Sequence, residues 1–422
     1  MGMTRMGSAA LAPDTGRRGK QDKRTEILAV SSDLFAAKGY TGTSMRDIAA
    51  DTGMLAGSLY YHFASKEVLA ATMVRALRDD VVAATQSPEV PTDSPLDAIR
   101  RFARRIAEVS ARHPGALQVC HGVPEMRNAE LETLLSSEPR WSDKKWQALV
   151  GDAENASLVR PEVDTRILRE VLRVALTYSA TVAPTGSSAR RVADCMVDML
   201  FHGLATKPAD DDLSDSEAAR VAREVITSWD RGDSRMLSDR RDRILEAARH
   251  VFAERGCDAT TTRDIANAVG LTQGSLYHHF DSRDAILVAI LEGFSSRMRE
   301  AHEAIGAVAG TPLETIDALI RVRTAAGKRF EPEVSILKSW AMLVATGKFD
   351  FLEQDRRKTH RVWERACAAG VRDGSITMPA STRLVIQCLG EILWSTHAVS
   401  RISTERLTRY NLETVLWGAS PK

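Results

Sequence analysis

The chain has 422 residues, a length that suits two to four domains of roughly 100–200 residues each. Its composition, 44% hydrophobic and 27% charged, excludes a disordered or collagen-like chain. The 57 basic and 56 acidic residues leave a net charge of +1, so the overall charge does not indicate a nucleic-acid partner, and DNA binding has to be recognised from motifs.

The cysteines and the apolar segments predict a soluble, cytoplasmic protein. The five cysteines are scattered without a C-x-x-C pair, which favours reduced thiols over a disulfide framework or a zinc site. The first twenty residues contain no apolar run of signal-peptide length, and no later segment approaches the ~20 apolar residues of a membrane span. We therefore expect no membrane partner, no metal and no cofactor.

The chain contains an internal repeat. A shift of 217 positions aligns 24–67 with 241–284 without a gap, and nineteen of the forty-four positions are identical. Further along, 154–166 resembles 372–383 at nearly the same shift. The duplication therefore covers about 24–204 and 241–421, and each copy is a whole domain with its own core, much longer than a solenoid repeat.

Each copy is predicted to open with an amphipathic helix that ends at a glycine. The apolar side chains of this helix fall on one stripe of a 3.6-residue period. They are Ile27, Leu28, Leu34 and Phe35 in the first copy and Ile244, Leu245, Val251 and Phe252 in the second. Gly39 and Gly256 follow, and glycine is the residue type that best adopts the left-handed turn after a helix.

A second, short helix is predicted from a capping box. Ser44-x-x-Asp47 and Thr261-x-x-Asp264 both have a hydroxyl residue followed three positions later by a carboxylate. Gly53 or Gly270 ends this helix, and then GSLYYHF follows in the first copy and GSLYHHF in the second. Two short helices about a glycine turn, packed on a longer helix, predict a helix-turn-helix.

The run R-D-I-A, then G, then G-S-L-Y-x-H-F, then a basic residue resembles the DNA-binding half of the tetracycline-repressor (TetR) family over about 45 residues in each copy. The resemblance implies an all-α fold of two tandem TetR-like units, each with three DNA-binding helices and a larger helical domain that holds an inducer and dimerises. It implies a ligand-responsive transcriptional regulator of double-stranded operator DNA, either a repressor or an activator.

The resemblance also implies roles for single residues. Tyr60, His62 and Lys66, with Tyr277, His279 and Arg283, would contact phosphates, and such contacts set register without reading sequence. Arg46, Arg263 and Gln273 would read bases. The full set of candidate DNA-binding residues is Ser44, Arg46, Ala56, Gly57, Tyr60, Tyr61, His62, Lys66, Thr261, Arg263, Thr272, Gln273, Gly274, Tyr277, His278, His279 and Arg283. The adjacent His278 and His279 do not predict a metal site, because neighbours on a helix do not face one ligand position.

The two copies differ at the start of the recognition helix. The second copy has Thr272-Gln273, an N-cap and a base reader, where the first has Leu55-Ala56. We predict unequal half-sites, with more base discrimination by the second copy. The alternative is that the first copy has lost DNA binding.

The remainder of each copy is predicted to be helical. In the family, the last two helices of each protomer form a four-helix bundle, here about 165–182 and 189–204 with 382–400 and 405–417. One chain would then be an intramolecular pseudo-dimer. The alternative is a homodimer of chains with four helix-turn-helix DNA-binding domains, which are called heads below. The connecting segment opens with acidic residues and continues as a helix capped by Ser214 and Glu217, which is either a linker helix or the last helix of the first domain.

These elements predict six segments. They are a flexible basic N-terminal arm at 1–22, a first DNA-binding domain at 23–67, a first ligand-binding and dimerisation domain at 68–204, a linker with a helix at 205–237, a second DNA-binding domain at 238–284 and a second ligand-binding and dimerisation domain at 285–422. The arm, with Arg17, Arg18 and Lys20, either adds contacts near DNA or is a solvated tail.

The inducer pocket is expected among aromatic residues of the helical domains, although aromatic residues at helical spacing are more often plain core. The candidates are Phe102, His121, Trp141, Trp146 and Tyr178 in the first copy and Phe330, Trp340, Phe351, Trp363 and Trp394 in the second. The family's habit suggests an apolar or lipid-like inducer, such as an acyl thioester.

No enzymatic activity is expected, because the chain lacks the G-x-S-x-G, P-loop, H-E-x-x-H and Rossmann motifs. A helical scaffold with inactive heads remains the alternative function.

Overall fold

The computed structural model describes residues 15–88, 94–121, 128–182, 187–207, 213–236, 239–257, 259–337, 343, 347–395 and 402–421. In these ranges the protein is all-α, with twenty α-helices and one isolated bridge between Ala205 and Ile376. The predicted fold class is confirmed. No helix in these ranges is long and apolar enough to cross a membrane.

The first unit comprises ten helices. They are α1 (Thr15–Lys38), α2 (Met45–Asp51), α3 (Ala56–His62), α4 (Lys66–Gln86), α5 (Pro95–Arg112), α6 (Pro114–His121), α7 (Ala129–Ser137), α8 (Asp143–Asn155), α9 (Thr165–Val182) and α10 (Ala189–His202).

A connecting helix and nine further helices follow. They are α11 (Glu217–Met236), α12 (Arg240–Arg255), α13 (Thr262–Ala268), α14 (Gln273–Tyr277), α15 (Arg283–Gly306), α16 (Pro312–Arg329), α17 (Glu331–Leu337), α18 (Asp350–Asp373), α19 (Thr382–Ser395) and α20 (Thr404–Leu412), which continues as a π-turn at Glu413–Trp417.

The helix boundaries repeat along the chain. Helices α2, α5 and α9 start 217 residues before α13, α16 and α19. The last helix of each unit keeps the relation with a slightly smaller shift, because α10 starts at Ala189 and α20 at Thr404. The duplication that the sequence shows most clearly in its first 44 positions therefore extends to the end of both units. The main departure is α18, a 24-residue helix where the first unit has the shorter α7 and α8.

The two units meet through their last helices. Helices α9 and α10 pack against α19 and the π-turn, and their buried side chains belong to one continuous apolar core that extends through both units. Met196, Leu200 and Phe201 from the first unit and Leu389 and Ile392 from the second are each almost completely buried in it. A smaller, separate core lies in the second head.

Backbone hydrogen bonds across this contact occur in matched pairs. The amide of Leu204 donates to Val415 at 2.9 Å and that of Ala205 to Leu416 at 2.8 Å. In the other direction, Ala419 donates to Leu200 and Ser420 to Phe201, both at 2.8 Å. Exchanging equivalent positions of the two units converts one pair into the other, as an isologous interface requires.

The hydrogen bonds stop being equivalent in the two units at Thr206, where the chain leaves the first unit. Thr206 donates through its amide to Ser375 at 3.0 Å and through its hydroxyl to Gly374 at 2.8 Å. The position equivalent to Thr206 in the second unit is Pro421, whose backbone nitrogen has no hydrogen to donate. Thr206 therefore adds contacts that exist on one side only.

Two glycines allow the units to approach each other. Gly203 and Gly418 have φ values of +69° and +82°. A Cβ atom on Gly203 would lie 2.4 Å from the carbonyl oxygen of Leu416, and one on Gly418 would lie 2.5 Å from the carbonyl oxygen of Phe201. Any larger residue would push the two backbones apart.

The connecting helix α11 packs on the second unit. It lies against α15 and α16, with Ala219 and Ala222 buried and the ring of Trp229 5.2 Å from that of Phe330. The first predicted alternative for this segment, a linker helix, thus agrees better with the contacts than a last helix of the first domain. At its start the hydroxyl of Ser216 accepts from the amide of Ala219 at 3.1 Å.

Each head docks on its own unit in a different way. In the first unit, Gly115 lies so close to α1 that an added Cβ would be 2.6 Å from Cα of Ser32, whose hydroxyl accepts from the Gly115 amide at 3.2 Å. The position equivalent to Ser32 is Arg249, which forms a largely buried ion pair with Glu333 on α17 at 3.1 Å.

Candidate DNA-binding heads and ligand-binding interior

Both predicted helix-turn-helix domains are present, and equivalent apolar side chains hold them together. Helix α1 buries Ile27 and Phe35, α2 buries Ile48, and α3 buries Leu59 and ends beside Phe63. The second head buries the residues at the same repeat positions: Ile244, Phe252, Ile265, Leu276 and Phe280. Leu28 and its counterpart are only half-buried.

The two predicted capping boxes are confirmed. The amide of Ser44 donates to the Asp47 carboxylate at 2.7 Å, and the amide of Thr261 donates to Asp264 at 2.9 Å. Hydrogen bonds from the Ser44 side chain and backbone hold the pKa of Asp47 below its usual value, and those of Thr261 do the same for the pKa of Asp264. Each carboxylate is therefore ionised and fixed at the start of the helix that precedes the recognition helix.

The recognition helices start differently, as predicted. Leu55 precedes α3, has no side chain that caps it, and is 81% exposed. Thr272 precedes α14, and its hydroxyl accepts from the amide of Ser275 at 3.2 Å. Gln273 is exposed, with its side-chain nitrogen 3.4 Å from the Thr262 hydroxyl.

Most of the candidate DNA-binding side chains are exposed, and two arginines are available for contact. Tyr60 and Tyr277 are each 51% exposed. The other exposed candidates are Ser44, Arg46, Ala56, Gly57, Tyr61, Thr261, Arg263, Thr272, Gln273, Gly274 and His278. Within the described ranges Arg46 and Arg263 form no ion pair and no hydrogen bond.

The remaining candidates are half-buried, and two of them contact the head itself. The ammonium group of Lys66 donates to the carbonyl oxygens of Tyr40 at 2.8 Å and Thr43 at 2.9 Å. The guanidinium of Arg283 donates to the carbonyl oxygen of Thr260 at 3.3 Å, the repeat position of Thr43, and to the Asp284 carboxylate at 2.8 Å. The sequence pattern did not predict these contacts, which fix the loop between the first two helices.

His62 and His279 are half-buried, and next to each of them an arginine that occurs in both copies packs on a phenylalanine ring. The guanidinium of Arg24 lies 4.1 Å from the ring centre of Phe63, and that of Arg241 lies 4.7 Å from Phe280. Arg24 also donates to the carbonyl oxygen of His62. No packing role was predicted for Arg24 from the sequence; its exact repetition at Arg241 was the signal that it packs on the end of the recognition helix.

The predicted basic arm is only partly described. Residues 1–14 lie outside the described ranges, and α1 already begins at Thr15, so 15–22 are helical. The side chains of Arg17, Arg18 and Lys20 also lie outside the description. Lys23 forms an ion pair with Glu26 at 2.8 Å.

The aromatic candidates of the first unit fall into two groups. Phe102 and Trp146 are fully buried, with ring centres 4.7 Å apart in an edge-to-face arrangement. Trp141 donates to the Ser137 hydroxyl at 3.1 Å. Tyr178 is deeply enclosed, and burial followed by the charge of Glu138 raises its pKa well above the usual value. The side chain of His121 lies outside the described residues.

In the second unit the structure brings some candidates together. Phe330 and Trp394 both lie near Phe294, with ring centres 5.6 Å and 6.5 Å away. Trp363 is buried with its ring 6.4 Å from that of His302. Phe351 packs with the core of the second head instead, and Trp340 lies outside the described residues. No group of metal-ligating side chains occurs in the parts of the chain that the structure describes.

Comparison with known proteins identifies the family. The model of the DNA-binding domain of "Bacterial regulatory proteins, tetR family" matches 27–73 and 244–290. The transcriptional repressor KstR2 of Rhodococcus jostii is 34% identical over 163 residues, which are 80% of that protein and 38% of this chain. KstR2 of Mycolicibacterium smegmatis is 32% identical over 158 residues, 77% of that protein and 37% of this chain.

The solved structures that resemble this chain align with less than half of it. The structure of KstR2 of Mycobacterium tuberculosis is 28% identical and covers 44% of this chain and 96% of its own, with a TM-score of 0.41. That of AibR with isovaleryl coenzyme A and operator DNA is 21% identical and covers 42% of this chain and 98% of its own, with a TM-score of 0.36.

The chain belongs to the TetR family of bacterial regulatory proteins and carries that family's DNA-binding domain twice. It is a helix-turn-helix transcriptional regulator, as the sequence predicted.

Proposed function

We propose that this regulator is a ligand-responsive repressor in which one chain does what a dimer does in its relatives. The R. jostii and M. smegmatis relatives are named transcriptional repressors. The observation that carries the single-chain proposal is the matched set of hydrogen bonds between the units, from Leu204 and Ala205 in one direction and from Ala419 and Ser420 in the other. An interface that already pairs equivalent surfaces within one chain leaves no such surface for a second chain.

Each head would approach DNA with its exposed side chains. Arg46 and Arg263 are exposed and unpaired within the described ranges, so each can donate to a guanine or a phosphate without breaking an existing contact. The exposed hydroxyl groups of Tyr60 and Tyr277 suit phosphate oxygens. For Lys66 and Arg283 we propose mainly a positioning role, because their charged groups already bind loop carbonyls.

The heads would recognise unequal half-sites. Thr272 caps the second recognition helix and is followed by the exposed Gln273, which can pair with adenine. The first recognition helix offers the exposed Leu55 and Ala56, which can contact only apolar groups such as the thymine methyl. Loss of DNA binding by the first head is disfavoured by its intact capping box and its free Arg46.

The six segments predicted from the sequence are proposed here as the functional division, with one refinement. The arm at 1–22, the heads at 23–67 and 238–284, and the ligand-binding domains at 68–204 and 285–422 keep those limits. Within 205–237, helix α11 contributes Trp229 to the interior of the second unit, so that the linker also forms a wall of the proposed ligand-binding region. Operator DNA is in the cytoplasm, and we propose the same compartment for the protein.

The inducer would bind in the helical domains. In the first unit the buried pair Phe102 and Trp146 suits an apolar or lipid-like molecule, and Tyr178 can add a hydroxyl group. In the second unit Phe330 and Trp394 have the same character.

A footprint on DNA upstream of the gene, combined with the mass of the complex, tests the proposal. We expect protection of two adjacent major-groove faces, about 34–36 Å apart, by one chain. Two chains on that operator would support the four-headed homodimer instead. Affinity that does not fall with rising salt, or equal binding to any duplex, would support a scaffold without operator recognition.

Matched substitutions test the inequality of the heads. Gln273→Ala should lose about 1–3 kcal/mol of discrimination at one half-site. Arg46→Ala should act at the other half-site, and Arg357→Gln, an exposed change far from both heads in sequence, serves as the control. Equal effects of Gln273→Ala and Arg46→Ala on one half-site would contradict the assignment of one head to each half-site.

A further inference from the structure

The second unit encloses an arginine that has no counter-ion among the described residues. Arg323 lies on α16, where burial and then the charge of Arg356 together lower its pKa to about 10. Its buried Nε has no hydrogen-bond partner, and no described carboxylate forms an ion pair with it. Burying an uncompensated charge is unfavourable, so such an arginine calls for an anion that completes the site.

The first unit differs from the second both at the position of Arg323 and in how its own buried arginine is neutralised. At the position equivalent to Arg323 it has Ile106, which is buried and apolar. Its own buried arginine is Arg173 on α9, and this guanidinium lies 3.2 Å from a carboxylate oxygen of Glu170 and 3.7 Å from one of Glu138. The position equivalent to Arg173 in the second unit is Gly390. Among the described residues, Arg323 therefore has no pair of carboxylates like the one that neutralises Arg173 in the first unit.

The guanidinium of Arg323 faces α19. A Cβ atom on Gly390 would lie 3.3 Å from its Nη2 atom, and its Cζ is 4.6 Å from the ring centre of Trp394. The carboxylate of Glu391 on the same helix accepts from the Ser395 hydroxyl at 3.3 Å, and its charge acts on Tyr178 of the first unit. On α18, Glu353 is held by Arg356 and Arg357.

Two other buried polar side chains of the second unit also have atoms without partners among the described residues. His302 is completely buried, with its Nδ1 2.6 Å from the carbonyl oxygen of Met298 and its Nε2 unpaired. The side-chain oxygen of Gln387, one turn before Gly390 and Glu391, is likewise buried and unpaired. An unpaired cation with an unpaired buried imidazole within range of its charge indicates a place where a ligand belongs rather than a finished core.

The surroundings combine this cation with apolar walls. Arg323 keeps part of its surface accessible, while its Nε is buried. Trp394 is half-buried beside it, and Phe294 and Phe330 continue the aromatic wall toward Trp229 of the connecting helix.

We propose that the interior of the second unit binds an organic carboxylate with an apolar body, with the carboxylate on the Arg323 guanidinium and the body against Trp394 and Phe330. A guanidinium donates two parallel hydrogen bonds to a carboxylate, and aromatic walls bury the remainder of the molecule. The first unit has no equivalent cation at this position, so the charged ligand is specific to the second unit. This inference rests on the proposed ligand response for its effect on the operator, but binding itself needs no DNA.

Calorimetric titration of the full chain without DNA tests the site. The probes are octanoate and benzoate, each with its uncharged match, octanamide and benzamide, and inorganic phosphate as the apolar-free anion. We expect at least one carboxylate to bind about tenfold or more tightly than its amide, because the amide lacks the charge. No preference for either carboxylate over its amide would overturn the proposal, and so would phosphate binding as tight as the carboxylates.

Two variants show whether Arg323 is responsible. Arg323→Ile introduces the residue of the first unit and should remove the carboxylate preference, whereas Arg357→Gln, on the exposed face of α18, should keep it. Arg323→Ile should also melt at or above the temperature of the wild-type protein in the absence of ligand, because an unpaired buried charge is removed. Survival of the preference in Arg323→Ile, with this variant folded, would overturn the assignment.

Operator binding is measured separately by fluorescence anisotropy. A chain that binds carboxylate but never binds upstream DNA would sink the proposed function and leave this inference standing. A chain that binds the operator but shows no carboxylate preference would overturn this inference and leave the proposed function standing.

Discussion

Gly203 and Gly418 place two backbones in direct contact between the units. Both have positive φ values, and both would put a Cβ atom within 2.5 Å of backbone atoms of the other unit. Gly53, in the turn of the first head, has a similar φ of +63° but nothing within 4 Å of the Cβ position. A substitution at Gly53 therefore introduces backbone strain alone, whereas a substitution at Gly203 introduces both strain and a steric clash.

We predict that Gly203→Ala lowers the unfolding free energy by about 2–5 kcal/mol, since left-handed strain and overpacking add. Gly53→Ala should cost only about 1–2 kcal/mol from the strain alone. Scanning calorimetry of both variants measures the difference. If the two substitutions lower the melting temperature equally, the close approach of the units is not what requires glycine at position 203.

Single residues also show what the sequence could predict. The capping boxes at Ser44 and Thr261 were recognised because all their atoms lie within four consecutive residues. The contacts of Lys66 with Tyr40 and Thr43 could not be recognised, because they join residues that are more than twenty positions apart through the turn of the chain. The contact of the Ser216 hydroxyl with the Ala219 amide at the start of α11 was not predicted, since sequence alone does not rank Ser214 and Ser216 as helix caps.

At the scale of elements, the heads dock through unlike contacts. Helix α1 lies against α6 at Ser32 and Gly115, with no charge involved. Helix α12 lies against α17 through Arg249 and Glu333, whose side chains are 11% and 6% exposed. The second docking contact therefore depends on the match between two buried charges.

We predict that Glu333→Gln weakens the docking of α12 by about 2–4 kcal/mol, because Arg249 keeps a buried charge without its main partner. The remaining partner, Glu246 at 2.9 Å, limits the loss. Hydrogen exchange of the amides in α12 measures the effect. Glu405→Gln, which breaks an exposed pair with Arg409, is the control and should change protection by less than about 0.5 kcal/mol.

A result in which Glu333→Gln and Glu405→Gln gave the same protection would contradict the buried docking contact. The double change Arg249→Met with Glu333→Leu should restore most of the protection, since replacing both charges removes the uncompensated one.

The packing of α15, α16 and α18 predicts a pH dependence. Burial, and then the charge of Arg323, lowers the pKa of His302 to about 3, and burial together with Arg323 and Arg356 lowers that of His360 to about 3. In the unfolded chain both have a pKa near ~6.5. Between these values the unfolded state binds more protons, so the stability of the second unit is present above pH ~6.5 and is lost as the pH falls toward 3.

The histidine variant His302→Leu should flatten this dependence. Across the range from pH ~6.5 to ~4 the wild-type protein should lose about 2–4 kcal/mol more than the variant, because the variant has no imidazole to protonate at this position. Calorimetry of both proteins as a function of pH measures it. Parallel profiles would show that His302 does not carry the acid sensitivity.

The arrangement of elements was predictable only in part. The bundle helices were placed within a few residues, because α9 and α10 recur as α19 and α20 and the apolar period continues through them. The docking of α11 on the second unit was not, because its acidic, proline-containing approach suggests an exposed linker while the burial of Ala219 and Trp229 depends on α16. The packing of Phe351 with the core of the second head was likewise not predicted from the sequence.

At the scale of the whole molecule, one core passes through both units and holds the two heads on a single body. The matched hydrogen bonds of Leu204 and Ala419 lie in the middle of this contact, and Thr206 reinforces it on one side. In a dimer of separate chains this contact would form only above the dissociation constant of the subunits; here it forms within one chain.

Under the single-chain proposal, we predict that operator binding follows a simple one-to-one isotherm down to the lowest measurable chain concentration, because no assembly step would precede binding. Fluorescence anisotropy of a labelled operator at chain concentrations from picomolar to micromolar measures the slope, and raising the salt should weaken binding steeply as counterions are released. A sigmoidal isotherm that becomes steeper on dilution would mean that two chains must first associate.

The bond pairs that join Leu204 to Val415 and Ala419 to Leu200 have a genetic consequence. In a regulator built from identical subunits, each inherited substitution occurs in both DNA-binding heads and alters the recognition of both halves of the operator together. In this protein a substitution in one DNA-binding head leaves the other head unchanged. Under the proposed single-chain recognition, the target sequence is therefore free to drift away from a palindrome, one half at a time.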